Sequence, residues 1–168
     1  MSSSLGHPLL PITGAFALPF AGYYIFLSTR VGLRRITQRV AIGDRIPQDS
    51  SSSPSSNSKP DSSASITTNA KGIRTSNDPL LLATRAHQNF AEYVPLALLL
   101  SAVTELNGGD PKKLTAALSV LFVSRVLHAE WGIMARDALG AGRPVGFYST
   151  IAVMAWLAGW GAWLGLGL

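Results

Sequence analysis

The stretch RAHQNFAEYVPLALLLSAV, residues 85–103, places an arginine, a histidine, an asparagine and a glutamate at the head of a long apolar run. Such a run predicts a helix that crosses a membrane, where each charged side chain costs at least ~2.5 kcal/mol. At 100° per residue, Arg85, Asn89 and Glu92 project within about 60° of one another. We therefore expect these side chains to share one face, which points into a helix bundle.

The composition of the whole chain is typical of a membrane protein. Of its 168 residues, 47% are hydrophobic and only 14% are charged, which is apolar for a soluble domain. A membrane-spanning helix needs ~20 mostly apolar residues. Four segments satisfy this length, at about 9–29, 79–106, 113–135 and 145–167. The sequence therefore predicts an all-α fold, a four-helix bundle that is integral to the membrane and forms a single domain.

A polar segment separates the first two spans. Residues 47–72, PQDSSSSPSSNSKPDSSASITTNAKG, contain almost no large apolar side chain, so we expect this stretch to be disordered. Most Lys and Arg residues lie in the first and third connections, and the second connection has only Lys112 and Lys113. The rule that basic loops stay in the cytosol then places both termini on the luminal side and the disordered loop in the cytosol.

Several classes of function are excluded or disfavoured by the sequence. The chain has no cysteine, which excludes disulfides, thiolate metal sites and a cysteine nucleophile. Its net charge of +5 comes from basic residues at the ends of apolar runs, a distribution that indicates topology and not a nucleic-acid surface. His87, His128 and Glu130 do not have the spacing of a zinc site, so we expect no metal.

A second polar group follows at the end of the third span. Arg125, Gly132 and Arg136 share a helical face there, and His128 lies beside them. In the predicted topology this face meets Arg85 at the cytosolic end of the bundle. Cationic side chains outnumber Glu92 in the group, so a bound anion is expected. Guanidinium forks and an amide suit a small peptide with two carboxylates and one amine.

Three stretches of the sequence also resemble a known family. They are LSTRVGLRR at 27–35, RAHQNFAEYVPLALLL at 85–100 and SRVLHAEWG at 124–132. They are similar to the MAPEG proteins, the membrane-associated proteins of eicosanoid and glutathione metabolism, and closer to the small bacterial-type branch than to the human prostaglandin and leukotriene synthases. The resemblance implies four-helix subunits that form homotrimers and bind glutathione between neighbouring subunits, near the cytosolic face. It also suggests the endoplasmic reticulum membrane as the location.

The resemblance implies roles for individual residues. Arg143 is the nearest match to the arginine that family enzymes place beside the glutathione sulfur, so it is the expected catalytic residue. One turn after His128, several family enzymes have a tyrosine that contacts glutathione, whereas this chain has Gly132. The arginine of the first span that would contact the ligand is Arg34 or one of its neighbours, Arg30 and Arg35. The expected glutathione-binding residues are Arg85, Asn89, Glu92, Arg125, His128 and Arg34.

Two main hypotheses follow for the function. The first is a glutathione-dependent transferase or peroxidase that acts on lipophilic electrophiles or lipid hydroperoxides from the bilayer, with Arg143 favouring the thiolate. The second is a noncatalytic membrane protein of the same family that binds lipid or assists a partner protein. An ion or proton pathway is disfavoured because the predicted charges stay in one leaflet. The plain interpretation of Arg30, Arg34, Arg35 and Arg39 is a topology signal in contact with anionic lipid.

Overall fold

The structure is a computed structural model and describes residues 8–39, 78–135 and 140–167. Within these ranges the chain forms helices and no strand, so the predicted all-α four-helix bundle is confirmed. The third helix continues directly into a six-residue π-helix, His128–Ile133. The serine-rich stretch 47–72 and Arg136 lie outside the described residues. The four α-helices are α1 (Pro11–Gln38), α2 (Pro79–Leu106), α3 (Pro111–Leu127) and α4 (Gly142–Leu166).

The first three helices begin in a similar way. Each has proline in its first turn, where the missing N–H of proline costs no helical hydrogen bond. Asp78 and Asp110 then cap α2 and α3, because their side chains accept hydrogen bonds from the backbone N–H of Leu80 and Lys113, both at 2.9 Å. These caps satisfy amides that would otherwise have no partner inside the helix.

Helix α1 is capped from a distance. Its own N-cap residue, Leu10, offers no side-chain hydrogen bond. Instead, the Glu105 carboxylate near the end of α2 accepts hydrogen bonds from the backbone N–H of Ile12 at 2.7 Å and of Thr13 at 2.8 Å. The hydroxyls of Thr13 and Ser101 lie 2.9 Å apart beside this carboxylate. We call this contact the glutamate clasp, and it joins the start of α1 to the end of α2.

Among the residues that the structure describes, three helical stretches are long and apolar enough to cross a membrane. They are α1, the continuous helix Pro111–Ile133 and α4. Helix α2 is also 28 residues long but carries Arg85, Glu92 and Glu105. Large apolar side chains such as Leu18 and Ile25 are exposed on the outside of the bundle, as expected for surfaces that face lipid. The chain is therefore a membrane protein.

The core of the bundle is built from aromatic and branched side chains. Phe20 packs edge-on against Phe122 at a ring distance of 5.3 Å, and Phe90 packs against Tyr23 at the same distance. Leu27, Leu118 and Leu121 are fully buried around this group. Helices α1 and α2, and likewise α3 and α4, pack as antiparallel neighbours. The arrangement brings Arg30, Arg85, Arg125 and Arg143 to one end of the bundle, the arginine end, and Glu105 to the other, the glutamate end.

Helices α3 and α4 approach each other unusually closely at the arginine end. A Cβ atom added at Gly146 would collide with the Cβ of His128, and one added at Gly132 would lie 2.6 Å from the backbone nitrogen of Arg143. Both glycines therefore let one backbone rest directly against the other. This contact fixes the head of α4 beside the π-helix, where the candidate site lies.

Candidate functional site

A cleft of about 790 Å³ opens at the arginine end between the start of α2, the π-helix and the start of α4. Its size is within the range of small-molecule binding sites. The polar part of its lining combines two cations with an amide and an imidazole, and no carboxylate belongs to the described lining. The lining residues are Leu81, Leu82, Arg85, Asn89, His128, Ile133, Arg143, Pro144, Phe147 and Tyr148.

Helix α2 contributes Arg85 and Asn89 to the cleft. The two residues are four positions apart and so lie one above the other on the same helical face. Glu92, which the sequence places on the same face, is exposed and is not part of the cleft lining. Its position, ~10 Å from Arg85 along the helix axis, puts it beyond the cleft. Two of the three residues that were predicted to share this face, Arg85 and Asn89, are thus brought together in the cleft.

Among the described charged residues at this end, Arg125 is the most enclosed, with only 2% of its surface exposed. Its two terminal nitrogens donate hydrogen bonds of 2.7 Å to the Asn89 side-chain oxygen and to the Gly146 carbonyl. Its guanidinium carbon lies 5.2 Å from the centre of the Tyr93 ring. Arg125 is not part of the cleft lining. It connects α2, α3 and α4, so its position supports a role in orienting Asn89 and not in direct ligand contact.

The hydrogen bond from Arg125 also orients the amide of Asn89. A guanidinium can only donate, so the amide oxygen must face Arg125. The NH2 group of Asn89 is then left to donate a hydrogen bond within the cleft. This orientation gives the site a neutral donor beside Arg85, a combination that suits a carboxylate.

His128 lies on the π-helix and is 5% exposed. Its Nδ1 is 2.8 Å from the carbonyl oxygen of Arg143, and because a carbonyl can only accept, Nδ1 carries the proton. This bond, together with the close packing of Gly132 on the Arg143 backbone, fixes the first turn of α4. Single π-turns are frequent at functional sites, and this one supports the backbone of the expected catalytic arginine.

The arginines of the first helix do not enter the cleft. Arg34 is exposed on the outer surface of α1, where it lines a separate hollow with Phe26 and Leu33. The contacts of Arg30 differ from those expected of a topology signal that faces lipid. It forms a two-pronged ion pair with Glu130, at 2.8 and 3.0 Å.

The Arg30–Glu130 pair was not predicted from the sequence. Tyr23 also donates its hydroxyl to this carboxylate, at 2.8 Å, so the pair ties α1 to the π-helix. A charged residue on each of two membrane helices was the only sequence signal for it.

The apolar wall of the cleft was also not predicted. Phe147 and Tyr148 at the start of α4 contact each other edge-on at 5.5 Å and line the cleft together with Leu81, Leu82 and Ile133. Their only sequence signal was an aromatic pair four residues after Arg143. The described residues also contain no group of three His, Asp or Glu side chains arranged to hold a metal ion. The arrangement is thus a basic cleft with one apolar wall.

Comparison with known proteins agrees with this architecture. No curated protein matches the chain. The family model described as "MAPEG family" matches residues 13–163, a range that begins near the start of α1, ends in the last turn of α4 and includes every residue that lines the cleft. The chain therefore belongs to the MAPEG family.

Proposed function

We propose that the chain is a membrane-embedded, glutathione-dependent transferase or peroxidase. The observation that carries the proposal is the cleft lining, in which Arg85 and Arg143 stand beside Asn89 with no carboxylate among the described lining residues. Arg85 is exposed at the cleft, and a cation at such a position in an apolar bundle favours a bound anion, because charges are costly there. The family, whose members generally use glutathione, supports that peptide as the ligand.

The donors of the cleft fit glutathione chemically. The peptide has two carboxylates, and the Arg85 guanidinium can hold one of them through two parallel hydrogen bonds. Asn89 offers its NH2 group next to Arg85, and Arg125 keeps the amide in that orientation. In the proposed site, Arg85 and Asn89 therefore bind the peptide, while Arg125 and His128 position the groups that do so.

Arg143 is the proposed catalytic residue. Glutathione, when bound, would supply the thiol that serves as the nucleophile toward the second substrate. A guanidinium beside the sulfur favours the ionised form, since a nearby positive charge stabilises the thiolate. The backbone of Arg143 is held by His128 and by its contact with Gly132, so the head of α4 is fixed where the side chain is needed.

The second substrate is proposed to be lipophilic, an electrophile or a lipid hydroperoxide that enters from the bilayer. Phe147, Tyr148 and the leucines of α2 give the cleft an apolar wall next to its arginines. Such a wall accommodates an acyl-like chain. A transferase and a peroxidase would both use this arrangement.

The proposed assembly is a homotrimer with glutathione at the boundary between subunits. Glu92 and Arg34 support it, because both are exposed and outside the cleft of their own subunit, where another copy can meet them. We further propose that the arginine end faces the cytosol and both termini the lumen of the endoplasmic reticulum, from the distribution of Lys and Arg. Reactivity of single cysteines at positions 39 and 112, which are exposed at opposite ends of the bundle, toward a membrane-impermeant reagent in sealed microsomes tests this orientation.

The first experiment is equilibrium binding of glutathione to the detergent-purified protein. An Arg85→Ala, Glu92→Gln variant should bind at least about tenfold more weakly, as expected when a charge-assisted hydrogen bond is lost. Lys112→Ala is the matched control, because it removes an exposed cation at the other end of the bundle and should bind normally. Absence of saturable binding by the folded parent protein would sink the proposal.

Turnover then tests the role of Arg143. With 1-chloro-2,4-dinitrobenzene or cumene hydroperoxide as the second substrate, Arg143→Ala should lose most turnover and retain glutathione binding. Unchanged turnover would remove Arg143 from the mechanism.

The alternative is a noncatalytic family member that binds lipid or assists a partner protein. Gly132 favours it, because the π-helix there is packed on the Arg143 backbone and leaves no space for the tyrosine of several family enzymes. Saturable glutathione binding without turnover on any lipophilic electrophile would support this alternative.

A further inference from the structure

A groove between α3 and α4 runs along the bundle at the glutamate end, away from the basic cleft. It consists of two hollows, of about 440 Å³ and about 340 Å³, whose linings share Lys113 and Trp156. None of the residues that line the groove also lines the cleft. The groove is therefore separate from the site of the proposed reaction.

The larger hollow combines a cation with indole rings. Lys113 places its ammonium 5.8 Å from the centre of the Trp160 ring, within the range of a cation–π contact. Trp156 and Trp160 lie side by side with ring centres 4.7 Å apart, and Trp163 completes the wall. Tryptophan and lysine together are typical of the boundary between lipid tails and headgroups.

The smaller hollow continues the groove as an almost wholly apolar channel. Besides Lys113, its lining consists of Ala116, Ala117, Val120, Ala152, Val153 and Trp156. From Lys113 to Val120 the channel follows α3 for ~10 Å, at 1.5 Å per residue. Small side chains on both helices keep it open to the outside of the bundle. A flexible hydrocarbon chain fits this shape better than a rigid protein surface does.

We propose that this groove is a binding site for one anionic phospholipid. The ammonium of Lys113 holds the phosphate, the indoles of Trp156 and Trp160 lie at the level of the glycerol, and one acyl chain follows the channel toward Val120. Charge decides the choice of occupant. The described linings of both hollows contain Lys113 and no carboxylate, so a negative headgroup is attracted and a second apolar helix would leave the ammonium uncompensated.

The tryptophans allow a direct test in the full chain. The protein has four tryptophans, and three of them line the groove, so a Trp131→Phe background restricts fluorescence to the site. In nanodiscs of phosphatidylcholine, a small fraction of lipid is replaced by phosphatidylglycerol or phosphatidylcholine with brominated acyl chains, which quench nearby indoles. Brominated phosphatidylglycerol should quench at a lower mole fraction than brominated phosphatidylcholine.

The Lys113→Gln variant should lose this preference, with a decrease of about fivefold in relative association, the effect of one lysine at an anionic headgroup. Lys112→Gln is the matched control, since it removes the neighbouring exposed charge, which is outside both linings, and should keep the preference. Equal quenching by the two lipids in the parent protein would overturn the proposal, as would equal losses in the two lysine variants. Absence of quenching by either lipid would show that protein covers the groove and would also overturn it.

Discussion

The two ends of the bundle use charged residues in opposite ways. At the glutamate end, the Glu105 carboxylate is satisfied within the subunit by the backbone N–H groups of Ile12 and Thr13. At the arginine end, Arg85 is exposed at an open cleft whose described wall has no carboxylate. A charged group that is hydrogen-bonded within its own subunit contributes to stability, whereas a charged group that is exposed at a cleft is available to a ligand.

The arginine end itself contains both kinds of charge. Arg125 and Arg30 are engaged with partners in their own subunit, whereas Arg85 is exposed at the cleft. Substitutions should therefore separate into those that lower the stability of the bundle and those that only weaken ligand binding at the cleft.

The largest effect on stability is expected at Arg125. Arg125→Met removes two hydrogen bonds from a buried cation and leaves the oxygens of Asn89 and Gly146 without this donor, which should cost about 3 kcal/mol. Unfolding in detergent by increasing SDS, followed by circular dichroism, measures this loss. Arg85→Met, the same change at an exposed position, should cost less than about 0.5 kcal/mol. Equal losses would erase the distinction between the two arginines.

A smaller loss is expected where the π-helix meets α4. Gly132→Ala places a methyl group 2.6 Å from the Arg143 backbone nitrogen, and the overpacking should cost about 2 kcal/mol. Glutathione binding should weaken with it, because the head of α4 must shift. Gly22→Ala is the control in α1, where an added Cβ meets nothing within 4 Å and should be neutral or slightly stabilising. A neutral Gly132→Ala variant would contradict the close packing.

The Arg30–Glu130 pair should contribute about 1 kcal/mol. A double-mutant cycle with Arg30→Met and Glu130→Gln isolates the pair from other effects of each substitution. The side chains are 16% and 32% exposed, so the coupling should exceed that of a fully solvated pair. A coupling energy of zero would return Arg30 to the role of a lipid-facing topology signal.

The smallest effect is expected at the glutamate clasp. Glu105→Gln keeps one acceptor oxygen for the start of α1 and loses the other, so the free energy of unfolding should fall by about 0.5 kcal/mol. Glutathione affinity should not change, because the clasp is at the opposite end from the cleft. Glu92→Gln should show the reverse pattern, with unchanged stability and weaker glutathione binding by the proposed trimer. A change of affinity in Glu105→Gln would show that the two ends are coupled.

Local sequence was sufficient to predict the fold class and part of the cleft. Arg85 and Asn89 are four residues apart on one helix, so a fixed rotation per residue predicts their common face. Their meeting with His128 and Arg143 required only that α2, α3 and α4 share an end. Each of these predictions depends on spacing within a helix or on the order of the helices.

Interactions between distant segments could not be predicted in this way. Glu130 and Arg30 are separated by 100 positions, and no spacing rule connects them. The contacts of Arg125 with Asn89 and Gly146 also join separate helices, and its predicted role in ligand binding gave no indication of these partners. The π-helix is a further source of error, because its i to i+5 hydrogen bonds turn the chain less per residue than an α-helix does. Rotation counted from Arg125 therefore misplaces residues from His128 onward.

The glutamate clasp has a consequence for the order in which the chain assembles. Glu105 follows Ile12 by 93 positions, so α1 is synthesised well before the carboxylate that caps it. Until α2 has been made, the first amides of α1 must be satisfied by water or lipid headgroups. The α1–α2 pair is thus the smallest part of the chain in which α1 has its cap.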